Sequence, residues 1–137
     1  MTRIAVDTSA AIPYLMRSHG SHAAVRRALS EFQLVLTGHS LAETYSVLTR
    51  LPGDARLGPS DAVKLINANF GRPVLPAEPT SLALPAELAS RGIAGGAVYD
   101  ALVGMAARDS QLGLATRDRR AATTYSALGL TFTLLPA

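Results

Sequence analysis

The stretch RIAVDTSAAIPYL, Arg3 to Leu15, carries the decision about the fold. Ile4, Ala5 and Val6 make an apolar run that reads as a short strand buried on both faces. The run ends on a carboxylate, Asp7, and two hydroxyls follow at once, Thr8 and Ser9. From Thr8 to Arg17 the pattern is helical, with Pro13 expected to bend or restart the helix. An acid at such a junction has two readings. It caps the helix that follows, or it is one part of a metal site at a strand end, and the rest of the chain has to separate the two.

Working outward, strands and helices alternate. Ser21–Glu31 reads as a helix that Ser21 caps, and Gln33–Leu36 as a second short strand. Ser40–Leu51 carries Leu41, Tyr45 and Leu48 at helical spacing, and Pro52-Gly53 ends it. Pro59 and Ser60 open another helix, with Val63, Ile66 and Phe70 along one side and Gly71 at its end. Pro73–Pro76 has room for a minimal strand. Pro79–Arg91 is helical in pattern but broken by Pro85. A clear helix starts at Gly95 or Gly96 and runs through Ala107, followed by a strand at Leu112–Thr116, a helix at Arg119–Leu128 and a strand at Leu130–Leu135. That alternation predicts the α/β class, a three-layer α/β/α sandwich around a mostly parallel sheet. With no repeat and no linker, residues 1–137 are expected to form a single domain.

Composition narrows the chemistry. There is no Cys, which excludes disulfides and thiolate metal sites. No charge-free apolar run approaches the ~20 residues that span a bilayer, and Asp7 breaks the N-terminal apolar stretch too early for a signal peptide. A soluble, cytoplasmic protein with no membrane association is the expectation. Apolar residues are 48% of the chain and the mean hydropathy is +0.22, high enough to favour an oligomer or a bound partner. The net charge is +3, and Lys64 is the sole Lys among 13 basic residues. Arg grips phosphate bidentately, so nucleic acid is a plausible partner, although genome base composition also enriches Arg.

The acids are few enough to take singly. Asp7 and Asp118 each follow a predicted strand and open a predicted helix, and in a parallel sheet ligands bind at the carboxyl ends of strands. A helix cap explains each of them equally well. Asp100 lies in GGAVYDALVGMAA, and its helix face carries Gly96, Ala97, Val103, Gly104 and Ala107. Small residues there let another segment come close, which turns the carboxylate inward. Burying it ionised without a counter-charge costs several kcal/mol, a cost that a bound cation offsets. An acid in the first turn, favoured by the helix dipole, is the simpler alternative. Glu43 shares a polar helix face with His39, Ser40, Ser46 and Arg50, which solvation explains as readily. Taken together, four carboxylates at strand ends and on helices suit Mg²⁺ or Mn²⁺. The remaining acids, Asp109 among them, read as solvated charge, and His19, His22 and His39 share no metal-ligand spacing. Arg117, Arg119 and Arg120 flank Asp118 as possible phosphate contacts; a solvated helix start accounts for them as well.

VDTSA at the first strand, AET on a mid-chain helix, YDAL on a late helix and LATRDRR after the next strand, in that order, resemble the PIN-domain nucleases. In length and motif order the chain is similar to the VapC-type toxins of toxin–antitoxin pairs. The resemblance spans essentially the whole chain, apart from residues 51–84, which carry no motif. It implies a PIN-like fold and an endoribonuclease dependent on Mg²⁺ or Mn²⁺, in which Asp7, Glu43, Asp100 and Asp118 are the catalytic and metal-binding acids. Ser9 and Thr116 match supporting hydroxyl positions. It further implies a homodimer, a VapB-type antitoxin partner and an RNA substrate cleaved by metal-activated water. Three other readings stand beside it. A receiver-type signalling domain needs a Lys at the acidic pocket, and Lys64 follows no strand. A catalytically inactive PIN-like domain would bind RNA or a partner without cleaving, and a housekeeping PIN nuclease would have no antitoxin.

Overall fold

The computed structural model describes residues 1–136. Strand β1 (Thr2–Val6) leads into α1 (Thr8–Leu15) and α2 (His22–Ala28), and β2 (Phe32–Val35) leads into α3 (Gly38–Leu48). After a single 3-10 turn at Gly53–Ala55 come α4 (Pro59–Asn69), α5 (Glu78–Leu82), α6 (Leu84–Ser90) and α7 (Ala97–Asp109). The chain returns to the sheet as β3 (Gly113–Thr116), crosses over through α8 (Arg119–Ala127) and finishes as β4 (Phe132–Leu134). The strand order is β2-β1-β3-β4, and every neighbouring pair is parallel.

The period of two along the strands sorts the core into two layers. Ile4 and Val6 of β1, with Leu34 and Leu36, face a cluster that includes Leu15, Val25, Leu48 and Ile66 from α1–α4. Ala5, Val35 and Leu114 face the opposite way, onto Val103, Ala106, Ala121 and Tyr125 of α7 and α8. Each large apolar side chain buried this way contributes roughly 1.5–3 kcal/mol. Helices therefore cover both faces of a parallel sheet, as the alternation predicts. β1 is paired on one side with β2 and on the other with β3, so the connections leave β1 toward opposite edges of the sheet. The carboxyl ends of β1 and β3 form a topological switch point, the crevice where α/β sheets bind ligands. Asp7 is the residue after β1, and Asp118 is two residues beyond β3.

Several local expectations change. The Pro73–Pro76 segment supplies only an isolated parallel bridge, Thr37 to Val74, rather than a strand. The Pro79–Arg91 pattern resolves into two helices that meet at Ala83. Pro85 sits in the first turn of the second, where its missing N–H costs nothing. Ser21 precedes α2 without capping it through its side chain. Helix α3 begins two residues early, because Thr37 and Ser40 form a reciprocal capping box that places Gly38 in the first turn.

Pro13 neither ends nor restarts α1, which runs through it. A proline in that position removes the amide that would donate to the carbonyl four residues back, that of Ser9. Arg117 supplies the missing donor, with Nη1 3.4 Å from the Ser9 carbonyl oxygen. On α7, the approach that the small-residue face allows is made by side chains of the neighbouring segment. A Cβ at Gly104 would lie 2.6 Å from Leu130 Cδ1 and 3.1 Å from both Leu128 Cδ1 and Tyr125 Cδ1.

Candidate active site

Asp7 is buried, with 6% of its surface exposed, and each of its carboxylate oxygens has a donor. Oδ1 accepts from the Ser9 hydroxyl at 2.6 Å and from the Ala10 amide at 3.3 Å. Oδ2 accepts from the Tyr125 hydroxyl at 2.8 Å. The cap and the site are thus not alternatives: one oxygen caps α1 while the other is held from α8. Burial pushes the Asp7 carboxyl up from its ordinary value, and the hydroxyls of Ser9, Thr116 and Tyr125 and the Ala10 amide oppose that rise. Burial, and next the negative charge of Asp7, push the Tyr125 hydroxyl far above its usual range, which keeps it a donor.

Ser9 is the hub of a directed chain of hydrogen bonds. Its one proton goes to Asp7, so at the 3.2 Å contact with Thr116 Oγ1 it is the acceptor and Thr116 the donor. Ser9 Oγ also accepts the Arg117 amide at 2.8 Å, and Thr116 Oγ1 accepts the Asp118 amide at 3.1 Å. Every bond from the start of α8 through Thr116 and Ser9 points its dipole toward Asp7, and bonds so aligned reinforce one another. Asp118 is exposed, and its Oδ1 accepts the Arg120 amide at 2.9 Å, so it caps α8.

Asp100 lies in the first turn of α7 and is half-buried. Its carboxyl is pushed up to about 6, chiefly by desolvation, then by the negative charges of Asp118, Asp7 and Glu43, with His39 acting in the opposite sense. The other three acids singled out in the sequence therefore lie within electrostatic reach of Asp100. Glu43 is exposed on α3, a helix that packs against both α1 and α7. Ser40, one turn before it, donates to the Val6 carbonyl at 3.2 Å and so ties α3 to the end of β1. Among the described residues no Arg or Lys forms an ion pair with any of the four; the ion pairs join Glu87 and Asp109 to Arg91 and Arg108. Asp109, expected to be solvated, is instead held by Arg108 and by the Ala77 amide.

The donor set suits a hard divalent cation: carboxylate oxygens, those of Asp7 backed by hydroxyls, with no Arg or Lys paired to them among the described residues. Among the described residues no three acids converge into a closed cage.

The three arginines differ in what they are free to do. The Arg117 guanidinium is committed to the protein, reaching the Ser9 and Pro136 carbonyls and, at 2.9 Å, the Ser21 hydroxyl. Those bonds give it a structural role, set in part by the carbonyl that Pro13 leaves open. Arg119 and Arg120 are exposed at the start of α8. Two features escaped the sequence reading. Tyr125 lies on the stripe Ala121, Ala122, Tyr125 and Leu128, and a buried Tyr hydroxyl on an apolar stripe demands a partner. His39 and Tyr99 stack at 5.4 Å with an interplanar angle of 18°, a pairing between distant helices that no local pattern announces.

The family model described as the PIN domain matches residues 4–126. Ribonuclease VapC27 of Mycobacterium tuberculosis is 56% identical over 72 residues, which are 53% of this chain and 53% of that protein; the chain spans about half the length of the curated relative it matches. Among solved structures, VapBC2 from Rickettsia felis bound to a DNA fragment from its promoter aligns with a TM-score of 0.70 at 14% identity, covering 98% of this chain and all of that one. Mycobacterium tuberculosis VapC20, a sarcin-ricin loop cleaving toxin, aligns with a TM-score of 0.68 at 18% identity, covering 97% of this chain and 99% of its own. At those identities the two structures speak for the fold.

Proposed function

This chain belongs to the PIN-domain family, and on that premise we propose that it is a metal-dependent endoribonuclease, the toxin of a toxin–antitoxin pair. The observation that carries the reading is the placing of Asp7 and Asp118 just past the ends of β1 and β3, beside a half-buried Asp100 whose carboxyl is pushed up by desolvation and then by the charges of Asp118, Asp7 and Glu43. A divalent cation bound there, Mg²⁺ or Mn²⁺, would supply an acidified water and positive charge for a scissile phosphate. Asp7 and Asp100 are the primary ligands in this reading, and Glu43 and Asp118 complete the set. The chain's own part is positioning. Ser9 and Tyr125 fix the two oxygens of Asp7, Thr116 fixes Ser9, and burial keeps water from competing for the carboxylate. Arg119 and Arg120, exposed at the start of α8, are the proposed contacts for the RNA backbone.

The toxin assignment draws on VapC27, whose name is that of a ribonuclease, and on the partner-bound VapBC2 neighbour. It also draws on exposed apolar surface. Leu41, Tyr45, Val63 and Ile66 line a groove between α3 and α4, and Tyr45 and Val63 are exposed. An amphipathic antitoxin helix is the occupant proposed for such a surface, with a homodimer as the toxin's own assembly. The test is RNA cleavage by the purified chain with Mg²⁺, with Mn²⁺ and with EDTA. Cleavage that EDTA stops, and that Asp7→Asn and Asp100→Asn each abolish in folded protein, supports the proposal. Cleavage undiminished in EDTA overturns it. Co-expression with a small neighbouring reading frame tests the toxin half, which fails if the chain is harmless alone.

A further inference from the structure

Tyr99 immediately precedes Asp100 on the first turn of α7, yet 58% of its surface is open to solvent. One side of its ring lies against His39, in the first turn of α3, with 5.4 Å between ring centroids and 18° between planes. His39 in turn is near enough to the acids to act on the charge of Asp100. Two aromatic rings from two helices are thus pre-stacked at the border of the acid cluster, with one ring largely uncovered. An exposed Tyr that serves only packing has no reason to be held this way. Single-stranded RNA, by contrast, is recognised by splaying unpaired bases onto Tyr and His rings. Stacking tolerates any base, and holding Tyr99 against His39 lowers the ordering cost of binding.

We propose that the His39–Tyr99 stack is a base platform, on which the unpaired nucleobase next to the scissile phosphate continues the stack and so sets the register of the RNA over the acids. The inference deepens the endoribonuclease reading and rests on it. Tyr99 acts as a positioning residue: it touches the substrate base and leaves the reacting atoms to the carboxylates. The phosphate backbone brings affinity without register, and the platform supplies the register.

The experiment compares a fluorescent adenylate dodecamer with an abasic ribose-phosphate dodecamer by anisotropy in EDTA. The protein carries Asp118→Asn, an exposed position where Asn caps a helix as well as Asp does. The parent should bind the adenylate oligomer more tightly than the abasic one. Adding Tyr99→Ala should weaken adenylate binding by about 10- to 100-fold, leave abasic binding unchanged, and keep the melting midpoint, since the side chain is exposed. Tyr99→Phe should restore tight adenylate binding. Equal losses on the two oligomers, or no loss on adenylate, overturn the platform while the endoribonuclease reading survives. If the parent binds neither oligomer, or both equally, the platform is overturned, and the cleavage assay alone decides the endoribonuclease reading.

Discussion

The hydroxyl of Tyr125 donates to Asp7 Oδ2 across 2.8 Å, joining the face of α8 to the end of β1 in the interior of the protein. Asp7 has no cationic partner among the described residues, so this hydroxyl is one of the few groups that make its burial tolerable. Tyr125→Phe preserves the ring and deletes the donor, leaving a buried carboxylate oxygen unsatisfied. A loss of roughly 1–3 kcal/mol at neutral pH is expected, read from urea unfolding. The Asp7 carboxyl should rise further in the variant, so the deficit should shrink in acid, where Asp7 is protonated. A deficit independent of pH would assign Tyr125 to packing alone.

The metal-free protein should lose stability as pH rises. The folded state holds the Asp100 proton up to about pH 6 and raises Asp7 as well, whereas the unfolded chain releases both near the ordinary value of 3.8. Between those limits the native state binds more protons, so stability falls with increasing pH. The contribution is present below about pH 4 and gone above about pH 6. Melting curves in EDTA should show this slope. Asp100→Asn should flatten it and raise the midpoint at pH 7.5, and Mg²⁺ should do the same for the unmodified chain. A lower midpoint for Asp100→Asn in EDTA would make Asp100 a structural residue instead.

Arg117 and its neighbours should part company on mutation. Arg117→Ala removes the donors to the Ser9 carbonyl and the Ser21 hydroxyl and should cost about 1–3 kcal/mol. Lys, lacking the planar fork, should rescue it poorly. Arg119→Ala and Arg120→Ala, both exposed, should leave the melting midpoint nearly unchanged and reduce the salt dependence of RNA binding by about one unit of slope each. Equal melting losses for all three would refute the division.

Thr116→Val keeps the shape of a fully buried residue and removes the hydroxyl between the Asp118 amide and Ser9. Cleavage should fall more steeply than stability, because the variant frees Ser9 and through it the aim of Asp7. A kcat loss with KM unchanged is the expected signature, measured on one RNA at saturating Mg²⁺.

What the chain disclosed about itself follows from range. Ile4-Ala5-Val6, the Ser40–Leu51 spacing and the run from Gly96 to Ala107 are local signals, and they find the strand before Asp7 and the helices that carry Glu43 and Asp100. Pro85 and Pro13 are local too, but their outcomes were not: one fell harmlessly in a first turn, and the other survived mid-helix because Arg117, more than a hundred residues away, donates to the orphaned carbonyl. The same limit hid Tyr125, whose partner lies on another element, and the His39–Tyr99 stack. It also let Arg117 pass as a free cation, since nothing in LATRDRR distinguishes it from Arg119. Pattern reveals where a side chain starts and packing reveals what it reaches.

Gly104 lies one turn beyond Asp100 on α7, and its missing Cβ is the reason the rings and methyls of Tyr125, Leu128 and Leu130 can come so close. Tyr125 holds Asp7, so the gap between α7 and α8 is also the gauge that sets how far apart two of the acids stand. A single methyl added at Gly104 would meet Leu130 Cδ1 at 2.6 Å and the edge of the Tyr125 ring at 3.1 Å, and any shift of that ring would pass to Asp7 and, in the proposed metal site, loosen the ion although no carboxylate had been altered. If the proposed function holds, drift at such a position would silence the nuclease while its acidic signature remained intact, and a reader counting acids alone would score the damaged chain as active.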